Sequence, residues 1–157
     1  MRKDIFIDNT IAKNFSNPLD PSYRRLIAWL MRYNPALGEA NAHLVWSLKI
    51  LAEYNRTSAN SRSNTNIAII IDKLTREGRH IFISNQQIRT FKREHFKRRI
   101  LRQLRCNAED RDHIPVVLLS DRKYALSTDH RFVHDIKNFP GFVARAATRP
   151  EDLPYRT

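Results

Sequence analysis

The stretch KYALSTDHRF, residues 123–132, joins a short apolar run to an acid and then to a basic and aromatic segment. Residues 124–126 are typical of a buried strand, and the residues from 130 onward are typical of a short helix. Asp129 stands between them and has two explanations: it caps the helix, or it places negative charge at the end of a strand. A strand followed by a helix recurs along the chain, and this repetition predicts an α/β fold.

Other segments show the same alternation. Residues 4–8, DIFID, form a strand-like run that ends in Asp8. Residues 43–56 and 80–93, HLVWSLKILAEYNR and HIFISNQQIRTFKR, align without gaps, and each is typical of a strand, a capping Ser and a helix. Residues 142–147 are predicted to form the last strand. We therefore expect a three-layer α/β/α sandwich with a mainly parallel central sheet.

The remaining segments contain no linker that would divide the chain, and we predict a single domain over residues 1–157. A helix over 20–34 would start at an Asp20 cap. The isoleucines from 67 onward fit a helix that ends at Gly78, or equally a strand, and periodicity does not distinguish the two. Residues 108–122 are predicted to be helical, with Pro115 tolerated near the start. Residues 56–66, rich in Ser, Thr and Asn, are predicted to form a polar loop.

Composition limits the function classes. The chain has 157 residues, of which 41% are hydrophobic, as in a folded protein with a buried core. No apolar run approaches the length that crosses a bilayer, and the first residues lack the apolar centre of a secretory signal. The single cysteine, Cys106, excludes an internal disulfide and fits a reducing compartment. We expect a cytoplasmic protein with no membrane association.

Positive charge is concentrated in one segment. The chain has 28 Lys and Arg against 16 Asp and Glu, a net charge of +12, which attracts polyanions. Residues 89–105 hold eight of these cations and one acid, and the apolar spacing predicts one helix over 88–105. Such a face either stays solvated or binds phosphates, and the overall charge favours RNA. The predicted nucleic-acid contacts are Arg89, Lys92, Arg93, Lys97, Arg98, Arg99 and Arg102.

Acidic residues follow the predicted strands. The carboxyl ends of parallel strands meet at one edge of a sheet, so Asp8 and Asp129 are predicted to lie together there. Glu53 lies far enough along the helix after the strand 43–46 to lean over the same edge. Asp110 and Asp112 precede the strand of Asp129. Each acid taken singly could be only a cap or a partner of a helix dipole, but together they indicate a site.

Several carboxylates brought together repel one another at neutral pH unless protons or cations bind them. Mg²⁺ and Mn²⁺ are the usual cations because they prefer oxygen ligands. Such ions activate water and stabilise charge on an attacked phosphodiester. An acidic pocket beside a basic face is therefore what a metal-dependent nuclease requires.

Four segments resemble, in order, those of PIN-domain ribonucleases, the family that includes the VapC-type toxins of bacterial toxin–antitoxin pairs. IFIDNTIAKNF resembles the opening strand that ends in Asp, and LVWSLKILAEYNR resembles the second strand and its Glu-bearing helix. DHIPVVLLSDRKYALSTDHRF is similar to the segment from the third acid to the fourth. NFPGFVARAATRPEDLP resembles the final strand and tail. The resemblance covers residues 4–154.

This resemblance implies a metal-dependent endoribonuclease that uses Mg²⁺ or Mn²⁺, acts on RNA, forms a homodimer and has an antitoxin protein as partner. Thr10 and Thr128 would be hydroxyl-bearing neighbours that orient the acids. The acids with implied catalytic and metal-binding roles are Asp8, Glu53, Asp112 and Asp129, with Asp110 as a rival for the third.

The alternative from another class is a non-catalytic RNA-binding module, in which the helix 88–105 binds RNA and the acids are structural. A metal-free acid–base mechanism through His95 and His113 would require these side chains to meet, and no pattern predicts that. His130 and His134 are four residues apart, but no further Cys or His cluster completes a zinc site. We expect both to be surface histidines.

Overall fold

Five short parallel strands form the central sheet of the computed structural model, which describes all 157 residues. The strands are β1 (Lys3–Ile7), β2 (Ala42–Trp46), β3 (His80–Phe82), β4 (Tyr124–Leu126) and β5 (Arg145–Ala147). Their spatial order is β3-β2-β1-β4-β5, and every neighbouring pair is parallel. Helices flank the sheet, so the predicted three-layer α/β/α architecture is confirmed.

The helices are short. They are α1 (Asn9–Ala12), α2 (Pro21–Met31), α3 (Leu48–Ser58), α4 (Ile67–Arg76), α5 (Asn85–His95), α6 (Arg98–Gln103), α7 (His113–Leu118) and α8 (His130–Lys137). Short 3-10 segments occupy Lys13–Ser16, Pro35–Ala40, Asp110–Asp112 and Pro150–Asp152. Crossing a bilayer takes roughly 20 apolar residues in one helix, and none of these helices has that length and composition.

Side-chain caps start the helices where the sequence predicts them. Asp20 and Asp129 accept backbone N–H bonds at the starts of α2 and α8. Ser47 and Ser84 do the same for α3 and α5. Each cap satisfies an N–H group that has no partner within the helix. Both halves of the repeated pattern at 43–56 and 80–93 therefore fold as a strand, a capping Ser and a helix.

The order of the strands creates a crevice at the end of β1. The chain first builds outward from β1 through β2 to β3, and then returns to the other side of β1 for β4 and β5. Open parallel sheets bind ligands outside the carboxyl ends of their strands, where the order of the strands reverses. Asp8 follows β1 and Asp129 follows the adjacent β4, so both acids lie at this switch point.

Packing brings three helices to the end of β1. Phe6 of β1 contacts Phe132 of α8 and His113 of α7, with ring centroids 6.0 and 5.5 Å apart. Tyr54 of α3 is fully buried and donates its hydroxyl to the last carbonyl of β1. Since these contacts belong to a core of 35 buried hydrophobic residues, the crevice has a rigid floor.

The basic segment forms two helices, and the prediction of one helix over 88–105 is wrong. Phe96 and Lys97 separate α5 from α6 and have non-helical backbone conformations. The Phe96 ring packs against Phe91 and Phe139, with centroids 6.0 and 5.9 Å apart. Because this aromatic contact draws Phe96 toward the core, the chain turns and the basic residues are divided between two helices.

Four other elements are shorter than predicted, and one of them is α2, which ends at Met31 although the helix was predicted to continue to 34. The helix predicted over 108–122 is a 3-10 turn followed by α7, which begins only two residues before Pro115. A helix that started at 108 would hold this proline in its interior, where the missing N–H and the ring disrupt the structure. The last strand is limited to β5, and the polar loop begins after Ser58 because α3 continues to that residue.

Candidate metal centre

Asp8 is the most buried acid of the crevice, with 7% of its surface exposed. It follows β1 and caps α1, and its Oδ1 accepts the backbone N–H of Asn9 at 2.9 Å. Its Oδ2 accepts hydrogen bonds from the hydroxyls of Thr10, at 3.0 Å, and Ser127, at 2.6 Å. No Lys or Arg pairs with this carboxylate, so only neutral donors stabilise its charge.

Two hydroxyl groups bind the end of β1 to the end of β4. The Thr10 hydroxyl accepts the backbone N–H of Thr128 at 3.0 Å, and the Ser127 hydroxyl accepts that of Asp129 at 3.1 Å. The orienting hydroxyl that the resemblance implied at Thr128 is therefore supplied by Ser127, and Thr128 is exposed. Successive side chains of extended backbone point to opposite faces, so only one of these neighbours can face Asp8.

Glu53 of α3 reaches the same crevice and is paired with a buried histidine. His113, the first residue of α7, is 1% exposed, and its Nε2 lies 2.7 Å from Oε2 of Glu53. Burial alone would raise the pKa of the Glu53 carboxyl, but the His113 hydrogen bond and nearby cations lower the pKa overall. Three residues, Asp8, Glu53 and His113, each offer one ligand atom, and these three atoms lie within 4.8 Å of one another.

The structure places Asp112 in a separate ion-pair network. Lys49 of α3 contacts one of its carboxylate oxygens at 3.1 Å, and Lys92 of α5 contacts the other. Burial would raise the pKa of the Asp112 carboxyl, but these two bonds lower it overall. Asp112 thus anchors the 3-10 turn to α3 and α5, and the Lys92 ammonium is engaged within the protein.

Asp110, the rival for the third acid, has no ion-pair partner and interacts electrostatically with the acids of the crevice. Burial raises the pKa of its carboxyl, and the negative charges of Asp8, Asp129 and Glu53 raise it further. A 3-10 turn has about three residues per turn, so side chains two positions apart point to different sides. Asp112 therefore reaches the two lysines, while the Asp110 carboxyl lies on another side of the turn, within reach of the charges of the other three acids.

Asp129 combines the two explanations that its sequence position suggested. Its Oδ1 accepts the backbone N–H groups of Arg131, at 2.9 Å, and Phe132, at 3.4 Å, at the start of α8. The Arg131 side chain approaches the same oxygen at 3.6 Å. The Oδ2 atom has no hydrogen-bond partner. One oxygen therefore caps the helix while the other adds negative charge to the crevice.

Two further buried acids show the structural alternative. Asp4, near the opposite end of β1, accepts backbone N–H groups of the 121–122 turn at 2.8 and 2.9 Å. Asp135 of α8 accepts the backbone N–H groups of Arg105 and Cys106. Both carboxylates are taken up by backbone N–H groups. The crevice differs because acids from distant parts of the chain influence one another there: Asp8 and Glu53 offer ligand atoms within 4.8 Å, and the charges of Asp8, Asp129 and Glu53 raise the pKa of Asp110.

The basic surface borders the crevice. Six of the seven predicted phosphate contacts are exposed and form no ion pair, the exception being Lys92. Since Lys92 of α5 holds Asp112, the start of the basic surface and the acidic turn are in direct contact. His95, by contrast, packs against the rings of Phe91 and Phe142 and does not belong to the acidic site.

The donor set suits a hard divalent cation. Burial and, after it, the negative charges of neighbouring acids raise the pKa of Asp110, and none of the crevice acids except Asp129 has a Lys or Arg contact. A cation bound by oxygen ligands would relieve this repulsion, as Mg²⁺ and Mn²⁺ do in sites built from carboxylates and water. The residues present therefore fit such an ion.

Comparison with known proteins supports the fold. No protein-family model matches the chain, and neither does any curated protein sequence. Among solved structures, it is similar to a chain of VapBC2 from Rickettsia felis, whose crystal structure was determined bound to a DNA fragment from the promoter. The TM-score is 0.55 at 14% identity, and the match covers 92% of this chain and 98% of that chain. The likeness shows that the two chains share a fold, in agreement with the PIN-like architecture that the sequence predicts.

Proposed function

We propose that this chain is a metal-dependent endoribonuclease with a PIN-like fold. The observation that carries this proposal is the cluster of Asp8 and Glu53 at the switch point of the sheet, with Asp110 and Asp129 close enough for their charges to interact with it. These acids come from the end of β1, from α3, from the 3-10 turn before α7 and from the end of β4. The proposed metal-binding acids are Asp8, Glu53, Asp110 and Asp129, with Asp110 in the place that the sequence had assigned to Asp112.

The chain's own residues prepare this site in two ways. The hydroxyls of Thr10 and Ser127 hold Asp8 at one orientation, and helix capping holds Asp129 at another. Fixed carboxylates lose little freedom when they bind a cation, which favours binding. Bound Mg²⁺ or Mn²⁺ would activate a water molecule and stabilise the charge of the attacked phosphodiester.

The basic helices α5 and α6 support RNA as the substrate. Their arginines and lysines are mostly exposed, and α5 reaches the turn before α7 through the contact of Lys92 with Asp112. A strand held by its phosphates on these helices would pass next to the acids. Such electrostatic binding does not depend on base sequence, so we expect it to weaken steeply as salt concentration rises.

The likeness to a VapBC2 chain supports a biological setting. We propose that the protein is the toxin of a toxin–antitoxin pair, that it binds an antitoxin protein, and that it forms a homodimer. Expression of the wild-type chain alone should arrest growth, whereas Asp8→Asn should not. Growth arrest by both proteins at equal abundance would show that toxicity does not depend on Asp8, and it would contradict this setting.

Cleavage of labelled RNA tests the enzymatic proposal. The wild-type protein should cleave in Mg²⁺ or Mn²⁺ and not in EDTA. Asp8→Asn should lose cleavage but bind RNA at least as well, because one negative charge is removed from the crevice. Asp72→Asn is the matched control, since this exposed acid of α4 pairs only with Arg76. Cleavage by Asp8→Asn at the wild-type rate would refute the proposal.

The exposed basic surface also favours the second candidate, a non-catalytic RNA-binding module. In that case the wild-type protein would bind RNA with the same affinity in Mn²⁺ and in EDTA and would leave it intact. The same labelled RNA, examined for binding and for cleavage, therefore separates the two candidates.

A further inference from the structure

We propose that His113 is a positioning residue of the metal centre, which donates a hydrogen bond from Nε2 to Glu53 and does not itself bind the cation. This inference rests on the metal-dependent function proposed above and specifies its ligand chemistry. The distances alone would also allow the opposite assignment, because Asp8, Glu53 and His113 together could form a mixed nitrogen and oxygen site.

The surroundings of the imidazole decide between the two assignments. His113 is 1% exposed, its ring packs against Phe6, and its Nδ1 atom is buried without any hydrogen-bond partner. A histidine that binds a metal through Nε2 carries its proton on Nδ1. Metal-binding histidines almost always donate that proton to a carboxylate, a carbonyl or water. His113 has no such acceptor, so metal binding would leave a buried N–H group unsatisfied.

The tautomer with its proton on Nε2 avoids this difficulty. Its N–H group points at Oε2 of Glu53, at 2.7 Å, and the unpartnered Nδ1 is then a bare acceptor. Buried N–H groups without partners are rarer than unsatisfied acceptors, so this tautomer is favoured. Glu53 keeps its other oxygen, Oε1, for the cation.

The consequence is a site of oxygen ligands only. Carboxylate and water oxygens suit Mg²⁺ and Mn²⁺, whereas a site that includes imidazole also suits Zn²⁺ and other transition metals. His113 would therefore help to select hard divalent cations, because its nitrogen is committed to a neighbouring ligand. Substitution of residues that orient a metal ligand in this way typically costs about 10- to 100-fold in metal affinity.

Mn²⁺ binding provides the test, since Mn²⁺ is paramagnetic and can be observed without any substrate. Pulsed electron paramagnetic resonance of the wild-type protein with bound Mn²⁺ should show no coupling to a directly coordinated ¹⁴N nucleus. His113→Gln retains a side-chain N–H donor and should bind Mn²⁺ within about threefold of wild type, whereas His113→Leu removes the donor and should bind about 10-fold or more weakly. Thermal unfolding in EDTA shows whether each variant is folded.

The outcomes are distinguishable. Strong ¹⁴N coupling in the wild-type protein would show that His113 binds the cation. That result would overturn the inference but leave the proposed metal centre in place. Equal Mn²⁺ affinity of a folded His113→Leu variant would overturn it as well. If the wild-type protein bound no Mn²⁺ at all, the proposed function would fail together with the inference. Because the ¹⁴N measurement uses the wild-type chain, it decides the question even where a variant does not fold.

Discussion

Asp110 and Asp112 are two positions apart in the chain. Asp112→Asn should destabilise the metal-free protein and leave metal binding intact, whereas Asp110→Asn should weaken metal binding without destabilising the metal-free protein. Asp112 forms ion pairs with two lysines, and the three side chains are each about one third exposed, at 32–38%. Ion pairs of this kind contribute up to about 1 kcal/mol each. Asp112→Asn should therefore cost up to about 2 kcal/mol, which lowers the melting temperature of a chain of this size by up to roughly 8 °C.

Asp110→Asn should not destabilise the metal-free protein. The pKa of Asp110 is raised by burial and by the surrounding carboxylates, so its charge is less favourable in the folded state than in the unfolded state. The stability that accompanies a raised carboxyl pKa is present below the unfolded pKa and is lost as pH rises through the folded pKa. In EDTA, the melting temperature of Asp110→Asn relative to wild type should thus increase from acidic to neutral pH.

Metal reverses the order of the two variants. At a Mn²⁺ concentration of about 100 times the dissociation constant, binding stabilises a folded protein by about 2.7 kcal/mol, or roughly 5–11 °C here. The wild type and Asp112→Asn should both show this increase, whereas Asp110→Asn should lose most of it. Differential scanning fluorimetry in EDTA and in Mn²⁺ measures all three proteins. A full Mn²⁺ response of Asp110→Asn with no response of Asp112→Asn would refute the assignment of the third acid.

Two further predictions concern the basic surface and a buried carboxylate. Alanine at Arg98, Arg99 and Arg102 should weaken RNA binding and reduce the slope of log affinity against log salt by about 2, whereas an unchanged slope would mean that α6 does not contact phosphates. Asp135→Asn replaces an acceptor of backbone N–H groups by a donor and should cost about 2–3 kcal/mol. Burial and Asp135 raise the pKa of the Cys106 thiol to about 12, so alkylation in the native state at pH 8 should be slow and should accelerate in Asp135→Asn. Equal alkylation rates in the two folded proteins would contradict that role of Asp135.

Local patterns were sufficient for the sheet and for most helix starts. The caps at Asp20, Ser47 and Ser84 were predicted, and a cap was one of the two explanations for Asp129. A cap satisfies N–H groups within its own turn, so its signal lies within a few residues. The failure over 88–105 has the opposite cause. The break at Phe96 depends in part on the ring of Phe139, which lies far away in the sequence, and periodicity contains no information about it.

The site shows the same division at the level of single side chains. Asp8, Glu53 and Asp129 could be placed at one edge because the topology of a parallel sheet follows from its alternating pattern. The sequence could not favour Asp110 over Asp112, or Ser127 over Thr128. A rotation of the 3-10 turn or of the extended segment about its axis would exchange the side chain that faces the crevice. The one usable signal for His113 was its position beside the acids in EDRDHI.

The sequence by itself determined the α/β/α class, the helix caps and the meeting of acids at strand ends, because those features follow from local hydrogen bonding and from the periods of helices and strands. Tertiary structure alone decided that two lysines hold Asp112, that Asp110 faces the crevice, and that a buried imidazole contacts Glu53. Each of these depends on which side of a turn faces the core. That orientation is set by contacts between residues that are distant along the chain.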